Sequence, residues 1–145
     1  MEKINLVYIK KLSVYSLILG GICAILSFIP LFMPFFSLFF LPFLGAILPL
    51  VLLIKIDGFY SEENKTYSIL GTISGFCLCA SYVIILIPFV WIFHLISKSY
   101  YDYGIQYLNP FLFILFFVMI ALVYMITNAV VGLIVGFVHK YIKGN

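Results

Sequence analysis

Between Lys65 and Lys98 the sequence reads TYSILGTISGFCLCASYVIILIPFVWIFHLIS, an uncharged run of 32 residues. About 20 residues of α-helix are enough to cross the ~30 Å hydrocarbon core of a bilayer. A run of this length and apolar character predicts one membrane-spanning helix, which we place at residues 68–97.

Two further uncharged runs lie on either side of this stretch. Residues 12–54 form a run of 43 residues. A single helix of that length would be about 65 Å long, so we expect this run to cross the bilayer twice. Residues 103–139 form the third run. Its first part is too polar to insert, which leaves one predicted crossing at residues 111–138.

Two prolines, Pro30 and Pro34, place the turn inside the longest run. Proline removes a backbone donor and disfavours helical geometry in the residue before it. We therefore expect a tight outer turn at these prolines, with helices at residues 13–31 and 35–54. A re-entrant segment within residues 30–42 is the alternative.

The composition sets the class of protein. Of the 145 residues, 66% are hydrophobic and 9% are charged, whereas a soluble domain carries about 25% charged residues. So few charges cannot cover a surface that faces water, and no nucleic-acid partner is expected. The sequence predicts a single all-α membrane domain over residues 1–145. We expect a polytopic four-transmembrane-helix bundle, built from two helical hairpins and surrounded by the lipid bilayer.

The lysines lie mostly on one side of this arrangement, and the chain has no arginine. Only Lys98 falls on the outer side. The other seven fall on the opposite side: Lys3, Lys10, Lys11, Lys55, Lys65, Lys140 and Lys143. The positive-inside rule makes that side cytosolic, so both termini are predicted to be cytoplasmic. The wealth of Ile, Phe, Tyr, Lys and Asn indicates an AT-rich genome, which fits a multi-pass protein of a bacterial inner (cell) membrane.

Small residues recur in all four predicted helices, as is typical of helices that approach closely in lipid. They are Gly20, Gly21, Ala24, Gly45, Gly71, Gly75, Gly132 and Gly136. These residues predict helix-packing faces. The faces meet either within one bundle or between two copies of the chain.

Part of the chain resembles known families. An Ile-Leu-Gly helix opening at residues 18–20 is followed by a second apolar helix, a short charged loop and YSILGTISG at residues 67–75. With these features, residues 13–86 resemble the small glycine-rich, multi-span bacterial membrane proteins of unknown function. Those families usually have fewer spans, so the helix at residues 111–138 departs from the pattern. The resemblance implies a membrane fold and no particular activity.

Acidic residues are missing from the predicted helices. All the acidic residues lie outside them: Glu2, Asp57, Glu62, Glu63 and Asp102. Buried charges in a bilayer are typical of proton relays, ion paths and coupled transport, so this pattern argues against a pump or a proton-coupled carrier. The cysteines Cys23, Cys77 and Cys79 have no metal-ligand spacing and are interpreted as packing residues. We expect no enzymatic activity, metal or cofactor.

A few polar or helix-kinking residues inside the helices are candidates for a site. Asn128 and Tyr124 lie in the last predicted helix, and Pro88 lies in the third. A buried amide should hydrogen-bond to a neighbouring helix, and a proline kink could open a space beside it. These residues are either structural or the lining of a cavity for a small solute.

Aromatic residues crowd the outer connection between the last two helices. They are Trp91, His94, Tyr100, Tyr101, Tyr103 and Tyr107. Aromatic rings prefer the headgroup region, so an interface belt is the simplest interpretation. A binding surface that faces the cell exterior is the alternative.

Two functions remain after these exclusions. The first is a structural or accessory membrane protein that interacts through helix packing, with itself as a homo-oligomer or with another membrane protein. The alternative is a small-solute binding or transport component with a cavity near Pro88, Tyr124 and Asn128.

Overall fold

A computed structural model describes residues 5–27, 35–96 and 110–144. All regular secondary structure in these ranges is helical, which confirms the predicted all-α fold. The elements are α1 (Leu6–Leu26), a π-helical segment (Phe35–Leu44), α2 (Ile47–Asp57), α3 (Asn64–Ile96) and α4 (Pro110–Gly144).

Three helices in the described part of the chain are long and apolar enough to cross a membrane. The qualifying stretches are Leu6–Leu26, Asn64–Pro88 and Phe117–Gly144. The last two overlap the helices predicted at residues 68–97 and 111–138, because charged residues bound the apolar runs that contain them in the sequence. The chain therefore has the architecture of a membrane protein.

Helix α1 begins and ends earlier than the predicted range of residues 13–31. The side-chain oxygen of Asn5 accepts a hydrogen bond from the backbone N–H of Val7 (3.1 Å) and caps the helix at its start. Because the helix begins at Leu6, Lys10 and Lys11 lie within it. An apolar helix tolerates them there because a long lysine side chain can extend its ammonium group to water. The predicted turn at Pro30 and Pro34 lies outside the described residues.

The helix predicted at residues 35–54 is broken into two pieces. The π-helical segment runs over ten residues to Leu44, and α2 begins at Ile47 after a turn at Gly45 and Ala46. Pro42 lies inside the π-helical segment. Proline lacks the N–H that an α-helix needs and its ring clashes with the preceding turn, which favours irregular helix geometry around Pro42. Helix α3, in contrast, continues through Pro88.

The helices α1 and α3 run parallel to each other. The hydroxyls of Ser16 and Ser74 lie 2.8 Å apart. Further along both helices, the hydroxyls of Ser27 and Tyr82 lie 2.9 Å apart. Helix α4 runs antiparallel to α3 in the most extensive contact of the described structure, while the π-helical segment lies mainly against α4 and α2 mainly against α1.

One end of the molecule collects the start of α1, the connection between α2 and α3, and the end of α4. The ammonium of Lys11 pairs with the carboxylate of Asp57 at the end of α2. The Lys143 ammonium near the end of α4 lies 3.8 Å from the ring centroid of Tyr60 in the connection. We call this the lysine-rich end; its described lysines are Lys10, Lys11, Lys55, Lys65, Lys140 and Lys143.

Candidate functional site

The closest helix contact joins α3 and α4 through glycine on both sides. A Cβ atom on Gly71 would overlap the carbonyl oxygen of Asn128 and lie 3.1 Å from the Cα of Gly132. A Cβ atom on Gly132 would overlap the carbonyl oxygen of Tyr67, and one on Gly75 would overlap that of Tyr124. Backbone meets backbone here, so no larger residue fits without separating the helices.

The other predicted packing residues also face neighbours within the chain. A Cβ atom on Gly136 would lie 2.8 Å from the ring of Tyr67, and one on Gly20 would lie 2.6 Å from the carbonyl oxygen of Leu78. Gly21 faces Ile85, Gly45 faces Leu41 and Leu78, and Ala24 is buried. The eight small residues thus line interfaces between elements of one chain.

Asn128 is completely buried, and its amide joins α4 to the broken second helix. Its Oδ1 accepts a hydrogen bond from the backbone N–H of Ala46 (2.8 Å). Its Nδ2 donates to the carbonyl oxygens of Leu41 (3.0 Å) and Tyr124 (2.9 Å). Both amide hydrogens and the amide oxygen are therefore used by backbone groups.

The position of these bonds explains how the break is tolerated. Leu41 and Ala46 lie on the two sides of the interruption at Gly45. An unpaired backbone group at membrane depth costs several kcal/mol, so irregular backbone there must be buried in protein and paired. Asn128 supplies these partners, and its role in the described structure is to satisfy the broken helix.

The three residues of the predicted cavity are not brought together. Tyr124 is buried in a core cluster that also contains Cys23, Cys79 and Tyr82, and Tyr124 lies opposite Gly75 of α3. Pro88 is exposed and lies about 20 Å further along α3, at 1.5 Å per residue. A cavity shared by Pro88, Tyr124 and Asn128 stays a prediction, and this geometry does not favour it.

A groove of about 320 Å³ lies between α3 and α4 on their outer surface. It is lined by Ser68, Thr72, Leu122, Met125, Ile126, Ala129, Val130 and Leu133. The Thr72 hydroxyl donates to the carbonyl oxygen of Ser68 (3.0 Å) within its own helix. The groove therefore presents an apolar wall of the kind that contacts lipid chains.

A second polar group lies at the lysine-rich end. The hydroxyl of Tyr67 lies 2.8 Å from Nδ1 of His139, and its oxygen accepts a hydrogen bond from the backbone N–H of Ser61 (3.3 Å). Tyr67 is completely buried, and the rings of Phe59 and His139 pack against it at centroid distances of 5.4 and 6.0 Å. The group ties the α2–α3 connection to α3 and α4.

The chain matches no protein-family model, no curated protein sequence and no solved structure. The resemblance of residues 13–86 to small glycine-rich bacterial membrane proteins therefore stays a prediction.

Asp57 holds the start of α1 to the same end of the molecule. Its carboxylate pairs with the Lys11 ammonium and accepts a hydrogen bond from the Tyr15 hydroxyl (2.9 Å). The Lys11 ammonium, and then the Tyr15 hydroxyl, hold the pKa of this carboxyl below its ordinary value, against the opposing effect of desolvation. The carboxylate therefore stays ionised at neutral pH, and the pairing is lost only when the pH falls through the lowered pKa.

Sequence reasoning did not find the contact between Tyr67 and His139. These residues lie 72 positions apart, and neither belongs to a recognisable motif.

The predicted outer aromatic belt stays a prediction. Trp91 and His94 lie on α3 but their side chains are not described, and the four tyrosines lie outside the described residues. Within the described part of the chain, no group of three or more His, Cys, Asp and Glu side chains could hold a metal ion.

Proposed function

We propose that the chain is a small structural or accessory protein of the cell membrane, which acts by packing its outer helix faces against another membrane protein or a second copy. The use of Asn128 carries this proposal. This fully buried amide side chain of α4 is committed to backbone groups of its own chain. That commitment favours a packing role over the alternative, a small-solute binding or transport component.

The proposed architecture is a four-helix bundle with both termini in the cytosol. Because α1 and α3 run parallel with their first turns at the same end, the chain between them must cross back. The π-helical segment and α2 provide residues for that crossing. The lysine-rich end supports the orientation, since lysines accumulate on the cytosolic side of membrane proteins.

A topology experiment tests the orientation. An alkaline phosphatase fused after Asn145 is expected to be inactive and a fluorescent protein at the same site fluorescent, because a cytosolic C-terminus leaves only the second reporter functional. Reporters inserted after Glu62 should behave identically, since this connection lies at the same end as the end of α4. Phosphatase activity at either site would contradict the orientation.

Photo-cross-linking in the native membrane tests the packing role. A photoreactive residue at Ile22 of α1 or at Ile126 of α4, both exposed apolar positions, is expected to give a discrete protein adduct from at least one of the two faces. The same probe at the fully buried Leu70 should give none and serves as the matched control. Lipid adducts alone at both exposed positions would count against a protein partner.

A further inference from the structure

The Tyr67 group at the lysine-rich end includes a histidine, His139, whose protonation state decides which atom of the contact donates. A backbone N–H can only donate, so the Tyr67 oxygen accepts from Ser61. The Tyr67 hydroxyl hydrogen can then be donated to Nδ1 of His139. That bond requires Nδ1 to be an unprotonated acceptor, with the ring neutral.

We propose that Tyr67, His139 and Ser61 form a pH-sensitive latch. With His139 neutral, the latch holds the α2–α3 connection against the end of α4. Protonation of His139 releases the connection. Histidine is the side chain whose ordinary titration lies closest to neutral pH, so acidification is the signal to which the latch responds.

Charges around His139 come from three elements. From its own helix come Lys140, which donates to the backbone carbonyl of Glu62, and Lys143, which lies over the Tyr60 ring. The connection supplies Tyr60, whose ring contacts His139 at a centroid distance of 5.7 Å; its carboxylates, Glu62 and Glu63, are neighbours in the sequence of Ser61. Helix α3 supplies Tyr67, which separates His139 from Phe59 and from the α1 residue Tyr8 beyond it.

Protonation would change this environment in two ways. Nδ1 becomes a donor, so the Tyr67 hydroxyl hydrogen has to turn away from it, and the Nδ1–H then competes with the backbone N–H of Ser61 for the Tyr67 oxygen. The new positive charge lies one turn before Lys143 on the same helix, where like charges repel. Lys143 already provides the positive charge that the C-terminal dipole of α4 favours. Both changes weaken the attachment of the connection to α4.

The latch is independent of the orientation proposed above. It responds to the compartment that faces the lysine-rich end, which is the cytosol under that proposal. A failed topology experiment would change the compartment and leave the latch intact.

Hydrogen exchange of the full chain in lipid nanodiscs tests the latch. The variant H139Q is the reference, since a glutamine oxygen can accept from Tyr67 but does not titrate. At about pH 8 the amides of residues 59–63 should exchange equally in the wild type and in H139Q. At about pH 5 they should exchange about fivefold or more faster in the wild type. Equal exchange in the two proteins at both pH values would overturn the proposal.

Two further measurements keep the test independent of how H139Q folds. Tyr67→Phe removes the hydroxyl and keeps the ring, so its connection should exchange fast at both pH values; protection equal to that of the wild type would overturn the proposal. Nitrogen NMR of a His94→Gln protein, in which His139 is the remaining histidine, should show Nδ1 unprotonated at about pH 8. A protonated Nδ1 at that pH would also overturn it.

Discussion

Replacing Gly75 by leucine is expected to destabilise the protein by about 3 kcal/mol or more, because overpacking of a tight interface forces its backbone apart. A Cβ atom at this position already overlaps the carbonyl oxygen of Tyr124 and lies 3.0 Å from the Cβ of Asn128. The free energy of unfolding in mixed detergent micelles, titrated with a denaturing detergent, measures the effect.

Gly144→Leu is the matched control for this substitution. Gly144 is also a helical glycine, at the end of α4, and nothing lies within 4 Å of a Cβ atom placed there. Its replacement should change the free energy of unfolding by less than about 0.5 kcal/mol. If Gly75→Leu were as stable as Gly144→Leu, the close approach of α3 and α4 would be wrong. If Gly75→Leu instead kept its stability but no longer self-associated, the glycine face would form the contact between two copies of the chain.

Asn128→Leu is expected to destabilise the protein by about 2–4 kcal/mol. An interhelical hydrogen bond in a membrane is worth about 0.6 kcal/mol on average, but a buried group left unpaired costs about 1–3 kcal/mol. This substitution leaves both the carbonyl oxygen of Leu41 and the N–H of Ala46 without their partner on α4. The second cost dominates. The same unfolding titration measures it, and the amide of Ala46 should exchange faster with solvent deuterium.

Thr127→Val is the control for the effect of Asn128. The Thr127 hydroxyl donates to the carbonyl oxygen of Val123 (2.7 Å), which belongs to the same helix. Its loss leaves the contacts between elements intact, so a change within about 0.5 kcal/mol is expected. Equal stability of Asn128→Leu and wild type would show that the broken helix does not depend on α4.

The helices predicted at residues 68–97 and 111–138 agree closely with Asn64–Ile96 and Pro110–Gly144. The predicted ends follow the limits of the uncharged, apolar runs, which is local information. The helices of the structure extend further, since α3 includes Lys65 and α4 continues through Lys140 and Lys143. The helix predicted at residues 35–54 fails at Gly45 for the opposite reason. The sequence contains Pro42, but the backbone groups that need partners at the break are the carbonyl of Leu41 and the N–H of Ala46. Their partner is Asn128, 87 positions from Leu41.

The candidate sites divide in the same way. The glycines were predicted as packing faces, since small residues in apolar helices indicate close contact whatever the partner. The sequence left open whether each glycine contacts another helix of the same chain or a helix of a second copy. The structure places them against Tyr67, Leu78, Tyr124 and Asn128 of the same chain.

By itself the sequence determined that this protein is helical, that it has long apolar stretches suited to a bilayer, and that its lysines gather toward one end. Hydropathy and charge act over a helical turn or a bilayer thickness, so they can be read along the chain. Only the tertiary structure decided that Asn128 holds a broken helix and that Tyr67 meets His139. In an apolar environment polar groups must find partners wherever the fold brings them, and those partners lie far apart in the sequence.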